Sequence, residues 1–187
     1  MLGPFNKIYP LFLNGLEVFY QPCFSIPRKD KPDDFRLIHN FSAEDNFGIS
    51  YNTLQLNNFV SMPTFRNLAY VALKSRAKFF TKLDISKGFK NVHMHPSRMR
   101  LQGLVTDLFS FVDATNVMGK SDSPQQFCAL TLSICIILCF WGKHLFTFRT
   151  PAGDIIPLIH VFMDDFVLFS FDPIMCLMQY LTFMIFI

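Results

Sequence analysis

The chain has 187 residues, enough for one domain with a real core or for two small lobes sharing one. Hydrophobic residues make up 51% and charged residues 17%, a balance that excludes intrinsic disorder. Net charge is +3, but residues 1–100 carry 14 Lys/Arg against 7 Asp/Glu, whereas residues 101–187 carry 3 against 7. A basic half joined to an acidic half suits a protein that grips a polyanion in one place and binds cations in another.

Residues 1–20 give weak signals and stand as an unassigned N-terminal segment. Their apolar residues are broken by Pro4, Asn6, Pro10 and Asn14, so no secretory signal is expected and the location predicted is intracellular, in cytoplasm or nucleus. Residues 21–27 and 35–39 read as two strands flanking a polar turn, Arg28-Lys29-Asp30-Lys31-Pro32-Asp33-Asp34, which makes a basic-tipped hairpin. Over residues 64–74, Phe65, Leu68, Ala69, Ala72 and Leu73 follow helical spacing. Phe79-Phe80-Thr81-Lys82-Leu83 is a strand-like run ending in Asp84, broken by Lys87-Gly88-Phe89. Residues 92–96 are expected to resume extended structure, and residues 101–106 and 109–112 form a further strand pair.

Ser123-Pro124-Gln125-Gln126 is the best helix start in the chain. It offers an N-cap Ser, Pro at the first helical position and Gln at the capping-box position. Phe127, Leu130, Ile134 and Leu138 supply an apolar stripe behind it. Ala152-Gly153-Asp154 turns the chain into a strand over residues 155–163, interrupted by Pro157. A hairpin with Phe162-Met163-Asp164-Asp165 at its tip follows. Such alternation predicts an α+β domain with helices packed on an antiparallel sheet.

Five cysteines form no C-x-x-C pair, and Cys128, Cys135 and Cys139 lie at helical spacing in an apolar run, so they read as small buried hydrophobes in a reducing compartment. His93 and His95 lack the partners of a zinc set. Two apolar stretches, residues 128–141 and 174–187, are 14 residues each, short of the ~20 that span a bilayer. No firm membrane partner follows, although a small membrane-associated protein is a competing reading.

Two adjacent carboxylates, Asp164 and Asp165, in an otherwise apolar hairpin are unfavourable unless something cationic neutralises them. Asp is also common in hairpin turns, because it tolerates left-handed backbone angles. Asp84 adds a third carboxylate 80 residues before Asp164. Three Asp at the ends of buried strands predict a two-metal phosphoryl-transfer site, since hard divalent cations take oxygen ligands. Lys74, Arg76, Lys78, Lys82, Lys87 and Lys90 surround Asp84 with positive charge. They read either as a solvated basic face or as a salt-sensitive contact to RNA or DNA.

From about residue 21 to residue 170 the chain resembles the fingers and palm of retroelement reverse transcriptases, RNA-directed DNA polymerases. Ser25-Ile26-Pro27-Arg28-Lys29-Asp30 and Phe35-Arg36-Leu37-Ile38-His39 resemble the fingers hairpin. Phe79 to Phe89, with His95-Pro96, resembles the first catalytic motif; Gly119 with Ser123-Pro124 and Phe127 resembles the template-side motif; Phe162-Met163-Asp164-Asp165 matches the family hallmark. The Ile38-His39-Asn40-Phe41-Ser42 segment leans toward DIRS-like retrotransposons.

The resemblance implies a right-hand polymerase fold: an antiparallel palm sheet with packed helices plus a fingers hairpin. It implies a nucleotidyltransferase in which Asp84, Asp164 and Asp165, with the Ile85 backbone carbonyl, hold two Mg²⁺ ions, Mn²⁺ being the alternative. One ion would activate the primer 3′-hydroxyl and the other neutralise the triphosphate. Arg28, Lys29 and Arg36 would hold the deoxynucleoside triphosphate. Phe89 would lie beneath its sugar and exclude a 2′-hydroxyl, and Gly119 would let the backbone approach the base. Met163, Ser123 and Pro124 would face the template-primer, RNA or DNA.

Two departures stand out. Asn116, Val117 and Met118 replace the Leu-Pro and Gln or Phe that usually precede the glycine, and the sequence ends 22 residues after Asp165. The expectation is therefore a reverse transcriptase domain over residues 21–172, truncated before the thumb, with an apolar tail over residues 173–187. Such a fragment would not polymerise processively unless it associates with the missing downstream parts. A catalytically dead remnant that binds nucleic acid is the other competing reading.

Overall fold

The computed structural model describes residues 12–13, 15–29, 31–44, 47–55, 62–105 and 110–187. In chain order the elements begin with β1 (Phe12–Leu13), β2 (Leu16–Glu17), β3 (Cys23–Arg28), β4 (Lys31–His39), α1 (Tyr51–Leu54) and α2 (Phe65–Ser75). They continue with β5 (Phe79–Asp84), a 3-10 turn (Gly88–Asn91), α3 (Pro96–Met99), β6 (Gly103–Val105), β7 (Ser110–Val112) and α4 (Ser123–Trp141). The rest are α5 (Lys143–Phe146), β8 (Thr147–Arg149), β9 (Ile155–Pro157), β10 (Ile159–Phe162), β11 (Asp165–Ser170) and α6 (Pro173–Phe186). Among the described residues every strand ladder is antiparallel, which makes this a mixed α+β chain. It divides into two compact units: residues 1–57 with 89–123, and residues 58–88 with 124–187.

In the first unit, β3 and β4 form the expected hairpin, but its turn is far tighter than the sequence suggested. Arg28 pairs with Lys31, so Lys31 to Asp34 belong to the strand, with a register shift at Pro27 and Arg28. Pro32 is accommodated because a two-stranded ribbon has edges on both sides, where a missing N–H goes unnoticed. Residues 92–96 do not resume a strand. His93 makes one isolated bridge to Thr115, and Pro96 opens α3, where a proline's fixed φ suits the first turn. β6 and β7 pair as expected over Gly103–Val105 and Ser110–Val112, while residues 106 and 109 lie outside the described residues.

The loop after β7 is held by side chains from elsewhere in the unit, one just before β6 and one on α1. Gln102 donates to the Asp113 and Thr115 carbonyls at 2.9 and 3.0 Å. Asn52 donates to the Gly119 carbonyl at 2.9 Å and accepts from the Ser121 N–H at 2.8 Å. His39 is buried and stacks on Phe41 at 5.6 Å, and Phe41 meets the edge of Tyr51 at 5.1 Å. Burial holds the His39 imidazole below its usual pKa. Burial by itself would raise the Asp113 carboxyl, but hydrogen bonds from Lys90 and Thr115 outweigh it and hold that group below the carboxylate range.

Both shifts have the same sign for stability. A group whose folded pKa is depressed contributes stability above its unfolded pKa that is lost as pH falls through the folded value. Unfolding free energy should therefore drop first below pH 6.5, as His39 resists protonation, and again below 3.8, as Asp113 loses its partners. His160 in the second unit, likewise depressed by burial, adds to the first step. Urea titrations at pH 7.5, 5.5 and 3.5 check this, with His39→Gln expected to shrink the first step; equal stability at pH 7.5 and 5.5 would refute it.

In the second unit the strand order is β10-β11-β5, with β5 on one edge. α2 starts where the sequence placed it: Thr64 caps it, accepting from the Asn67 N–H at 3.3 Å, and Asn67 returns the bond to Thr64. Its Val71 joins Ile156, Leu158 and Phe169 in a buried cluster. α6 packs on β11 and β5. Phe166 meets Phe183 edge-on at 4.7 Å, and Thr81 lies 2.9 Å from Cys176. Residues 173–187, set apart in the sequence as an apolar tail, thus fold as a helix of the second unit.

α4 departs from its expected stripe. Phe127, Thr131, Cys135 and Leu138 are the buried positions, while Leu130 is exposed and Ile134 half-buried. Cys128 and Cys139 are half-buried rather than core residues, and all five cysteines are free. The Ser123 hydroxyl is not the N-cap the motif suggested. It lies 2.6 Å from Asn116 Oδ1 and 2.7 Å from the Val117 carbonyl, tying the helix start to the preceding loop. The helix also exceeds the 14-residue apolar stretch read from sequence. At 19 residues it is long and apolar enough to cross a membrane, by length and composition alone.

Candidate functional site

Side-chain alternation sorts the β5–β11 ladder into two faces. Phe166, Leu168 and Ser170 are buried and lie opposite Leu83, Thr81 and Phe79. This is the face covered by α6. Asp165, Val167 and Phe169 point the other way, opposite Asp84, Lys82 and Phe80. Asp84 therefore stands directly across from Asp165, although 81 positions separate 84 from 165 in the sequence.

Asp164 reaches the same place through the hairpin turn. Phe162 pairs with Asp165, leaving Met163 and Asp164 as a two-residue loop. Met163 has φ 55, the left-handed region that is unfavourable for a residue with a side chain and is often retained at functional positions. Two bonds hold the loop: the Ile85 N–H donates to the Asp164 carbonyl at 3.1 Å, and the Met163 backbone hydrogen-bonds the Cys128 thiol on α4. Each of Asp84, Asp164 and Asp165 offers a carboxylate oxygen, and these atoms all lie within 4.8 Å of one another. Like charges near that distance repel by about 1 kcal/mol in bulk water and about 4 kcal/mol at the effective dielectric of a protein surface. An all-oxygen set of this kind could hold a hard divalent cation.

Lys82 is the nearest described counter-charge. Its Nζ lies 2.8 Å from Asp165 Oδ2, with the lysine side chain 60% exposed and that of Asp165 34%. This hydrogen bond raises the Lys82 pKa; desolvation opposes it, and the charges of Asp165, Asp84 and Asp164 add to the rise. The sequence placed Lys82 among the basic residues near Asp84 but missed this partner. Spacing alone puts Lys82 on the same strand face as Asp84, two residues on, but its pairing with Asp165 depends on the β5–β11 register, which residue spacing does not carry.

The strand carrying Asp84 is not buried, as the sequence reading assumed. β5 is an edge strand, and Phe80 is 75% exposed on it. The Ile85 carbonyl accepts from the Gly88 N–H at 3.1 Å. Gly88 packs closely under α4: a Cβ there would lie 2.5 Å from the tip of the Phe127 ring, which would have to shift.

The other sequence-predicted residues belong to the first unit or to its boundary. Arg28 pairs with Asp34 at 3.1 Å within the fingers-like hairpin, beside exposed Lys29. Arg36 pairs with Ile26 through the backbone, and its side chain lies outside the described residues. Phe89 is half-buried in the 3-10 turn. Gly119 has φ 103, and the space a Cβ would need is filled by the chain's own His39 carbonyl at 2.5 Å. Ser123 is buried and Pro124 half-buried at the start of α4.

No protein-family model matches the chain, and no curated protein matches it. Solved structures do. The chain is similar to the native prototype foamy virus protease-reverse transcriptase, with TM-score 0.58 and 18% identity over 88% of this chain and 18% of that one. For the selenomethionine-labelled CSH mutant of the same protein the TM-score is 0.60, again at 18% identity, over 89% of this chain and 18% of that one. The chain thus spans under a fifth of the length of these relatives, and the likeness is one of fold: reverse transcriptase-like, mixed α+β.

Proposed function

We propose that this chain is the fingers-and-palm region of a retrotransposon RNA-directed DNA polymerase, and that Asp84, Asp164 and Asp165 hold the metal ions of nucleotidyl transfer. The observation that carries the reading is the convergence of three carboxylates from positions 80 residues apart onto one end of a β-ladder. The fold likeness to a reverse transcriptase supports it. When bound, a pair of Mg²⁺ ions supplies Lewis-acid activation of a primer 3′-hydroxyl and neutralises the leaving pyrophosphate.

The chain's own part is placement. The β5–β11 ladder fixes Asp84 and Asp165, and the Ile85–Asp164 backbone bond fixes the loop between them. Arg28 and Lys29 are assigned to the triphosphate on the motif resemblance, Phe89 to the sugar, and Gly119, Met163, Ser123 and Pro124 to the nascent pair and template-primer. A second reading, nucleic-acid binding without catalysis, is favoured by the exposed Lys74, Arg76, Lys78, Lys87 and Lys90.

Single-nucleotide addition separates the two. Purified protein, an RNA template with a DNA primer, one deoxynucleoside triphosphate and Mg²⁺ should give primer extended by one residue, abolished by EDTA. Retention of the template-primer in low salt with no extension in Mg²⁺ or Mn²⁺ would decide for the second reading.

A further inference from the structure

Lys82 lies on the same sheet face as Asp84 and Asp165, diagonal to Asp165 across the ladder. Its ammonium holds Asp165 Oδ2 at 2.8 Å, while among the described residues no ion pair to Asp84 or Asp164 accompanies it. The three carboxylates are therefore unequal: two are open to an incoming cation and one already carries a positive partner. This asymmetry rests on the metal-site reading above and adds a residue to it.

We propose that Lys82 is a positioning residue that competes with divalent cations for Asp165. A cation held by Asp84 and Asp164 leaves the Lys82–Asp165 pair intact. One that also takes Asp165 through Oδ2 displaces the ammonium, which then swings into solvent; the lysine side chain, 60% exposed, has the freedom to do so. Lys82 thus weakens three-carboxylate occupancy and keeps Asp165 oriented when only two carboxylates are engaged. Both consequences depend on contact with Asp165, not on the lysine's charge in general.

The test is Mn²⁺ binding by the 187-residue chain, read from the electron-spin resonance signal of free Mn²⁺. An exposed ion pair is weak, so Lys82→Met should tighten Mn²⁺ binding by about twofold to fivefold. Lys82→Arg, which keeps the charge and the reach, should stay near the parent value. In an Asp165→Asn background Lys82→Met should change the affinity less than about 1.5-fold, because the contact is already gone, so the double-mutant cycle shows a coupling as large as the Lys82→Met effect in the parent. Equal tightening with and without Asp165 marks a through-space charge effect and overturns the proposal, as does unchanged or weaker binding in Lys82→Met. If Asp84→Asn weakens Mn²⁺ binding but Lys82→Met does nothing, only the role of Lys82 falls. If the parent chain takes up no Mn²⁺, the three-carboxylate site falls with it.

Discussion

Asp164→Asn is expected to reduce single-nucleotide addition by at least about 100-fold while leaving the fold intact. Asn has nearly the same size and can keep the hairpin geometry, including the backbone bond from Ile85, which does not involve the side chain. What it removes is one of three charges within 4.8 Å. Two-metal chemistry depends on holding the reacting oxygens in line, and small misplacements lower the rate by ~100-fold. Relief of repulsion among the remaining carboxylates should leave thermal stability equal or slightly higher. Single-turnover extension and thermal unfolding on the same preparation check both halves. A variant that keeps its rate, or loses rate only in proportion to unfolding, is incompatible with a metal-binding role for Asp164.

Gln179→Leu should lower unfolding free energy by about 2–5 kcal/mol, the largest stability effect expected of one α6 side chain. Gln179 is fully buried. Its amide nitrogen donates to the Leu145 carbonyl at 2.6 Å and the Phe169 carbonyl at 2.9 Å, and its oxygen accepts from the Ser170 hydroxyl at 2.6 Å. Leucine fills the space but leaves these groups without that partner, and each buried unsatisfied group costs about 1–3 kcal/mol, partly offset by the added apolar burial. Urea denaturation should show a lower midpoint at unchanged slope. Adding Ser170→Ala to Gln179→Leu should recover part of the loss, since a pair of polar groups replaced together is tolerated better than one orphaned partner. A midpoint equal to the parent's would mean that the three bonds contribute nothing net.

Gln179 also shows where sequence reading reached its limit. Along the chain it is one polar residue within an apolar 14-residue stretch. In the fold it fastens α6 to β11 and to the α5 carbonyl of Leu145, contacts 10 and 34 positions away. The same holds for α4, where period alone put Leu130 in the stripe and packing buried Thr131 instead. β8 was not anticipated at all. It is three residues long, Thr147–Arg149, and its identity comes from pairing with β9. Short strands lack enough residues for a periodic signal.

Local chemistry was legible wherever a local cause sufficed. The sequence by itself determined α2, because Phe65, Leu68, Ala69, Ala72 and Leu73 repeat at helical spacing. It determined β5 up to Asp84 and the Asp-Asp hairpin, since both are short apolar runs closed by residues that favour turns. Only the tertiary structure decided that these pieces meet. The meeting depends on the β5–β11 register, which pairs Leu83 with Phe166 and thereby Asp84 with Asp165. A slip of one residue would turn Asp165 toward the face covered by α6 and Phe166 toward the opposite one, taking a fully buried ring out of its contact with Phe183. Burial of Phe166 and Leu168 against α6 thus sets where the carboxylates stand, and that non-local packing has no counterpart in residue spacing.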